Sequence, residues 1–128
     1  MIYHKDGTQP NELEIFVFGS NLAGIHGGGA AKAAFASYGA IWGRYSGLSG
    51  RSYAIPTKDE NIETLPLQAI KPYISAFVEL THCTPDKRYF VTRIGCVLAG
   101  YADSDIAPLF IGANRANCNF PEEWAQYL

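Results

Sequence analysis

The sequence has no surplus of positive charge, no long apolar run and no paired-cysteine motif. Its 10 Lys and Arg residues are scattered along the chain and outnumbered by 12 acids, for a net charge of −2. Ligands such as nucleic acids and anionic membranes usually leave a basic surplus, so neither is expected as a partner. No apolar stretch approaches the roughly 18–20 residues that a membrane span needs. The opening residues MIYHKDGTQPNELE are polar and lack the apolar centre of a signal peptide, which makes a cytoplasmic location the expectation. Cys83, Cys96 and Cys118 are odd in number and never spaced C-x-x-C. They read as reduced thiols, not as a disulfide framework or a metal cage. No metal site and no cofactor are expected. Low-complexity runs and internal repeats are also missing.

What is present fits one α/β domain spanning residues 1–128. A chain of 128 residues closes one core and is too short for two ordinary ones. Ile2-Tyr3 predicts a short strand ended by the turn signal Asp6-Gly7. The unbroken apolar run Ile15–Phe18 predicts a strand covered on both faces, as in a largely parallel sheet. An alanine-rich helix is expected over Gly29–Tyr38, with Ala31, Phe35 and Tyr38 on one stripe and Gly39 as its C-terminal cap. Ala40–Gly50 reads as irregular. A strand at Ser52–Ile55 should close at Pro56, and a helix should start near Ala69, with Pro72 in its first turn, and end before Pro85. Tyr89–Thr92 and Asn117–Phe120 complete the strands. Asp103 or Ser104 caps a short helix through Phe110, and Pro121 opens a terminal helix at its first position. Alternating strands and helices place helices on both faces of a mixed, mostly parallel sheet.

The chemistry concentrates in residues 14–39. Ile15–Phe18 runs into Gly19-Ser20-Asn21, then into a loop with His26 and the consecutive glycines Gly27, Gly28 and Gly29, and then into the helix. Glycines let backbone N–H groups approach an anion, and the free N–H groups of a helix's first turn point at it. Three successive glycines cost stability that a plain turn would keep, which favours phosphate contact over simple helix-on-strand packing. This is not a Walker A loop, because Lys32 lies inside the helix with Ala33 after it. Nor is it a Rossmann fingerprint, because a long loop separates Gly19 from Gly27 and Lys32 stands where a third small residue belongs. A second glycine-flanked segment, Gly95–Gly100, follows the third strand and suits close approach to the same ligand.

These residues resemble the macrodomain family, which binds ADP-ribose. Asn21 after a central strand, followed by Gly27-Gly28-Gly29-Ala30-Ala31 opening a helix, matches its first loop. Arg93-Ile94-Gly95-Cys96-Val97-Leu98-Ala99-Gly100 is similar to its second loop, and Gly50–Thr57 to its middle strand. The segments F-G-S-N, H-G-x-G-A-A, S-Y-A-I-P-T-K-D and R-I-G-C also resemble a small group of bacterial and phage macro-like proteins. The resemblance spans roughly Ile15 to Gly100. It implies a three-layer α/β/α sandwich binding ADP-ribose or a related NAD-derived nucleotide, with or without hydrolysis of an ADP-ribosyl or ADP-ribose phosphate bond. The implied ligand contacts are Gly19, Ser20, Asn21, Gly27–Gly29, Ala30 and Ala31 from one side. Arg93, Gly95, Cys96, Val97, Leu98, Ala99 and Gly100 supply the other. Three departures stand out. No G-D-I motif supplies the family's aspartate for the adenine amino group, Val97 replaces a common glycine, and the catalytic aspartate of one hydrolase subgroup is missing.

Several polar residues keep two readings. Asn21 either contacts the ligand or caps a turn, and the surrounding loop favours the ligand. His26 is either the acid–base group, a role for which histidine is the usual side chain, or a hydrogen-bonding support for its loop. Lys58 and Asp59 leave a strand at the ligand edge, where an exposed ion pair is their commoner fate. Arg93 faces either a diphosphate or the carboxylate of Asp59. Asp103, with Lys58, is the alternative catalytic pair, although a helix cap is its plainer role. The non-catalytic alternatives are a nucleotide-sequestering module and a protein-interaction scaffold.

Overall fold

The computed structural model describes residues 2–128. In chain order the elements are β1 (Ile2–His4), β2 (Glu14–Asn21), α1 (Gly29–Ser37), β3 (Gly47–Ser49) and β4 (Ser52–Lys58). There follow α2 (Leu67–Cys83), β5 (Arg88–Val91), α3 (Asp103–Ile106) and β6 (Cys118–Pro121), with 3-10 turns at Ala107–Phe110 and Glu122–Tyr127. The six strands form one sheet in the order β1-β6-β5-β2-β4-β3. All neighbours are parallel except β3, which runs antiparallel to β4. The mixed, mostly parallel α/β sheet expected from the sequence is therefore present. No helix among the described residues is long and apolar enough to cross a membrane.

Side chains of a strand alternate between sheet faces, and β2 divides its apolar run accordingly. Ile15 and Val17 join Ile70, Ile74 and Phe77 of α2, together with Phe110, Phe120 and Trp124. Phe16 and Phe18 join Ala31 and Ala34 of α1 on the other side. This double coverage is why β2 shows no polar alternation. The small residues of α1 let its backbone lie close to Phe16 and Phe18.

Local structure departs from the sequence expectation in four places. The strand through Pro56 continues to Lys58, because β3 pairs only with Ser52–Ala54 and asks nothing of the missing Pro56 N–H. The segment expected to be irregular contains β3, joined to β4 by a tight Gly50-Arg51 turn with Gly50 at φ 56°. Helix α2 starts at Leu67, so Pro72 sits inside it and not in the first turn. The terminal helix is a 3-10 turn with Pro121 as its N-cap and last strand residue.

The larger core centres on Phe77, fully buried, with ring centroids 5.2 Å from Tyr53, 5.3 Å from Tyr89 and 5.9 Å from Phe110. Truncation there removes the transfer free energy and leaves a cavity. Phe77→Ala is expected to lower unfolding free energy by about 3–5 kcal/mol, measured by urea denaturation. A loss below about 1 kcal/mol would contradict this assignment of the core centre.

Candidate functional site

Because β1, β6, β5, β2 and β4 are parallel, their carboxyl ends share one edge of the sheet, where open α/β folds place ligands. A cavity of about 530 Å³ opens there, within the range of small-molecule sites. Its walls include the strand-end residues His4, Ser20, Asn21, Lys58 and Pro121.

The two glycine-containing loops meet at this cavity. From the first, Gly19, Ser20 and Asn21 line it, as do Gly27, Gly28, Gly29, Ala30 and Ala31. From the second come Arg93, Gly95, Val97, Leu98 and Ala99. Gly29 sits at φ 57° so close to the second loop that an added Cβ would lie 2.6 Å from Leu98 Cδ1. The left-handed backbone is what favours glycine there, since the Leu98 side-chain end is exposed and free to move. Gly28, the N-cap of α1, has nothing within 4 Å of a Cβ position, and no side chain caps the helix. The first-turn N–H groups, which have no partner inside a helix, therefore start at the cavity wall.

Cys96 and Gly100 do not line the cavity. Between its lining neighbours, Cys96 is half-buried against the larger core, and burial pushes its thiol up to about 12. It is protonated near neutral pH.

The first loop is held by its own polar groups. Asn21 Nδ2 donates to the Ile25 carbonyl at 2.8 Å, and its Oδ1 accepts from the Ile25 N–H at 3.0 Å. Asn21 thus forms the turn, as the second reading of it had it, and it also lines the cavity. Gly43 N–H donates to Gly24 O at 2.8 Å, and a Cβ at Gly24 would lie 2.5 Å from the Gly43 backbone. Ser20 Oγ donates to Tyr45 O.

His26 is not among the lining residues. It is buried, its Nε2–H donates to Ile41 O at 2.8 Å, and its ring lies among Phe18, Phe35 and Trp42. Its Nδ1 is buried without a partner among the described residues. The supporting reading of His26 describes this geometry, since no cavity-facing atom is available for proton transfer.

Asp103 also lies off the cavity. Arg93 Nε donates to its Oδ1 at 3.1 Å and Nη2 to its Oδ2 at 2.8 Å, while Trp124 Nε1 donates to Oδ1 at 2.7 Å. The carboxylate opposite Arg93 is therefore Asp103 and not Asp59. Asp103 is also not the helix N-cap, which is Ala102. Asp59 instead accepts from the N–H groups of Asn61 at 2.8 Å and Glu63 at 3.0 Å. It makes no ion pair with Lys58, which remains at the cavity. That turn carries Ile62 into the left-handed region at φ 63°, beside the cavity. A β-branched residue pays for this conformation with strain.

Other parts of the cavity lining were not expected from the sequence. Residues 4–9 line it, including Asp6, along with Phe16, Tyr38, Phe90 and Glu123. The His4 ring stacks on Phe90 at 3.9 Å and Tyr38 stacks on Phe16 at 4.5 Å, so aromatic rings form part of the lining. An acid near the N-terminus is thus present in space without the G-D-I pattern. The only hint in sequence was Asp6-Gly7 as a turn. Among the described residues no group of three or more His, Cys, Asp or Glu side chains is placed to hold a metal.

No family model, curated protein or solved structure matches this chain.

The Arg93–Asp103 pair yields a stability test. Hydrogen bonding from Arg93, reinforced by Trp124, holds the Asp103 carboxyl below the usual carboxylate range. A depressed folded pKa contributes stability that is fully present above the unfolded value of about 3.9 and lost as pH falls through the folded value. Asp103→Asn should cost about 2 kcal/mol at pH 7, the scale of hydrogen bonds to a charged group. The difference from the parent protein should shrink below about pH 4. Chemical denaturation at several pH values checks it; a pH-independent difference would contradict the assignment.

Proposed function

We propose that this cavity binds ADP-ribose or a related NAD-derived nucleotide, in a macrodomain-like, three-layer α/β/α arrangement. The observation that carries the reading is the meeting of two glycine-containing loops at one cavity, with an uncapped helix start between them. A linked pair of phosphoryl groups is the ligand such N–H groups serve best, since the helix dipole adds attraction for negative charge. The half-buried rings of His4 and Tyr38, stacked on the buried Phe90 and Phe16, offer aromatic surface to a heteroaromatic ring. Lys58 adds positive charge to the lining, while the guanidinium of Arg93 is paired with Asp103.

Binding without turnover is the better supported version. Of the three residues expected to carry catalysis, only Lys58 lines the cavity, while His26 and Asp103 are committed elsewhere. Hydrolysis at the anomeric carbon or of a terminal phosphate would leave Lys58 to orient a water with no partner from that set. Incubation with ADP-ribosylated protein and with ADP-ribose 1″-phosphate, followed by product analysis, should return both substrates intact. Release of free ADP-ribose would establish the hydrolytic version instead.

Ligand binding itself is tested by thermal shift with ADP-ribose, NAD and AMP. A ligand at one hundred times its dissociation constant stabilises by about 2.7 kcal/mol, and ADP-ribose is expected to give that response. No shift with any of them would remove the nucleotide reading. Gly28→Ser refines the test. Gly28 is extended, at φ −151° and ψ 159°, with open space at its Cβ. Serine there caps the helix and adds a few tenths of a kcal/mol, but its hydroxyl takes the N–H groups meant for phosphate. The variant should melt at or slightly above the parent temperature and bind ADP-ribose at least about tenfold more weakly, a loss of about 1.4 kcal/mol. Undiminished affinity would place the phosphates elsewhere.

A further inference from the structure

The near-neutral total charge hides an uneven distribution. All 12 acids lie outside residues 15–58, and within that stretch the Lys and Arg residues are Lys32, Arg44, Arg51 and Lys58. Lys32 and Arg44 are exposed and make no ion pair among the described residues. Three large aromatic side chains stand exposed in the same stretch, Phe35 at 47%, Trp42 at 53% and Tyr45 at 43%. Lys32 and Phe35 are one helical turn apart on α1, and the Phe35 and Trp42 rings meet edge to face at 5.4 Å. Trp42, Arg44 and Tyr45 share one loop.

That loop is rigidly supported from beneath. Its backbone takes the bonds already described from His26 to Ile41, from Ser20 to Tyr45, and between Gly43 and Gly24. The aromatic groups are therefore held out by a fixed main chain. Exposed aromatic faces interleaved with unpaired cations, on a stretch of chain free of acids, are what a flexible polyanion with stacking bases requires. A protein partner would be recognised through apolar area and mixed charge, and residues 15–58 carry no acid to pair with its cations.

We propose that the face formed by Lys32, Phe35, Trp42, Arg44 and Tyr45 binds single-stranded nucleic acid, with the cations on phosphates and the rings on bases. Helix α1 separates this face from the cavity, since Ala30 and Ala33 line the cavity and Lys32 and Phe35 do not. Occupation of one surface leaves the other open.

Fluorescence anisotropy with labelled DNA and RNA single strands of about ten nucleotides tests the proposal, the two arms distinguishing the sugar. Binding of at least one strand is expected at about 50 mM salt, weakening about tenfold by 200 mM as counterion release predicts for a few phosphate contacts. Arg44→Glu and Tyr45→Ala should each weaken it at least about fivefold, stacking alone being worth that much. Both variants should keep the parent melting temperature and the parent response to ADP-ribose. Trp42→Ala should weaken it too, but Trp42 also covers His26, so the first two variants decide. Failure of both strands to bind at low salt would overturn the proposal. So would affinity that Arg44→Glu and Tyr45→Ala leave unchanged. Concentration-dependent self-association abolished by the same variants would assign the face to a second copy of the chain and equally overturn it.

Discussion

The arrangement depends on a helix whose first turn is left without a side-chain cap at the edge of a parallel sheet. A serine or aspartate at the N-cap would satisfy those N–H groups and make α1 more stable in isolation. Gly28 leaves them available instead. The short helix is then held in place by tertiary packing, with Ala31 and Ala34 against Phe16 and Phe18. Packing of this kind, more than intrinsic propensity, stabilises most helices in proteins.

Around that start, each loop is restrained by contacts that carry no ligand chemistry of their own. Asn21 folds the chain back on Ile25, and Gly24 lets Gly43 approach to backbone distance. Gly29 gives room to Leu98. On the far side, Asp103 ties Arg93 to Trp124, fixing the base of the second loop to the larger core. These contacts order the loops by themselves, which would lower the cost of binding the proposed ligand. The same supports hold out Trp42 and Tyr45 on the neighbouring face.

Much of this was legible in the sequence because it is local. The doubly covered β2 run, the glycine loop, α1 with Gly39 as the left-handed residue beyond its end, and α2 all follow from periodicity and turn chemistry. The pairing of the two loops came from their shared glycine character and from resemblance. What stayed hidden depends on long-range placement. His26 sits beside the glycines in sequence, yet its side chain turns into an aromatic cluster made by residues 35 and 42. Arg93 was offered Asp59 in sequence but meets Asp103, because the chain after the second loop folds back under it. The His4–Phe90 stack needs β1 beside β6, a pairing of the two chain ends that no local pattern announces. The acid-free stretch was present in the sequence and was masked by reading charge only as a total.

The central claim is that backbone N–H groups of both loops receive the phosphates, and an amide-resolved NMR titration tests it most directly. On addition of ADP-ribose to ¹⁵N-labelled protein, the largest shift changes are expected at Gly27–Ala31 and at Gly95–Ala99 together. Changes confined to one loop, or absent from both while the ligand binds elsewhere, would contradict the account.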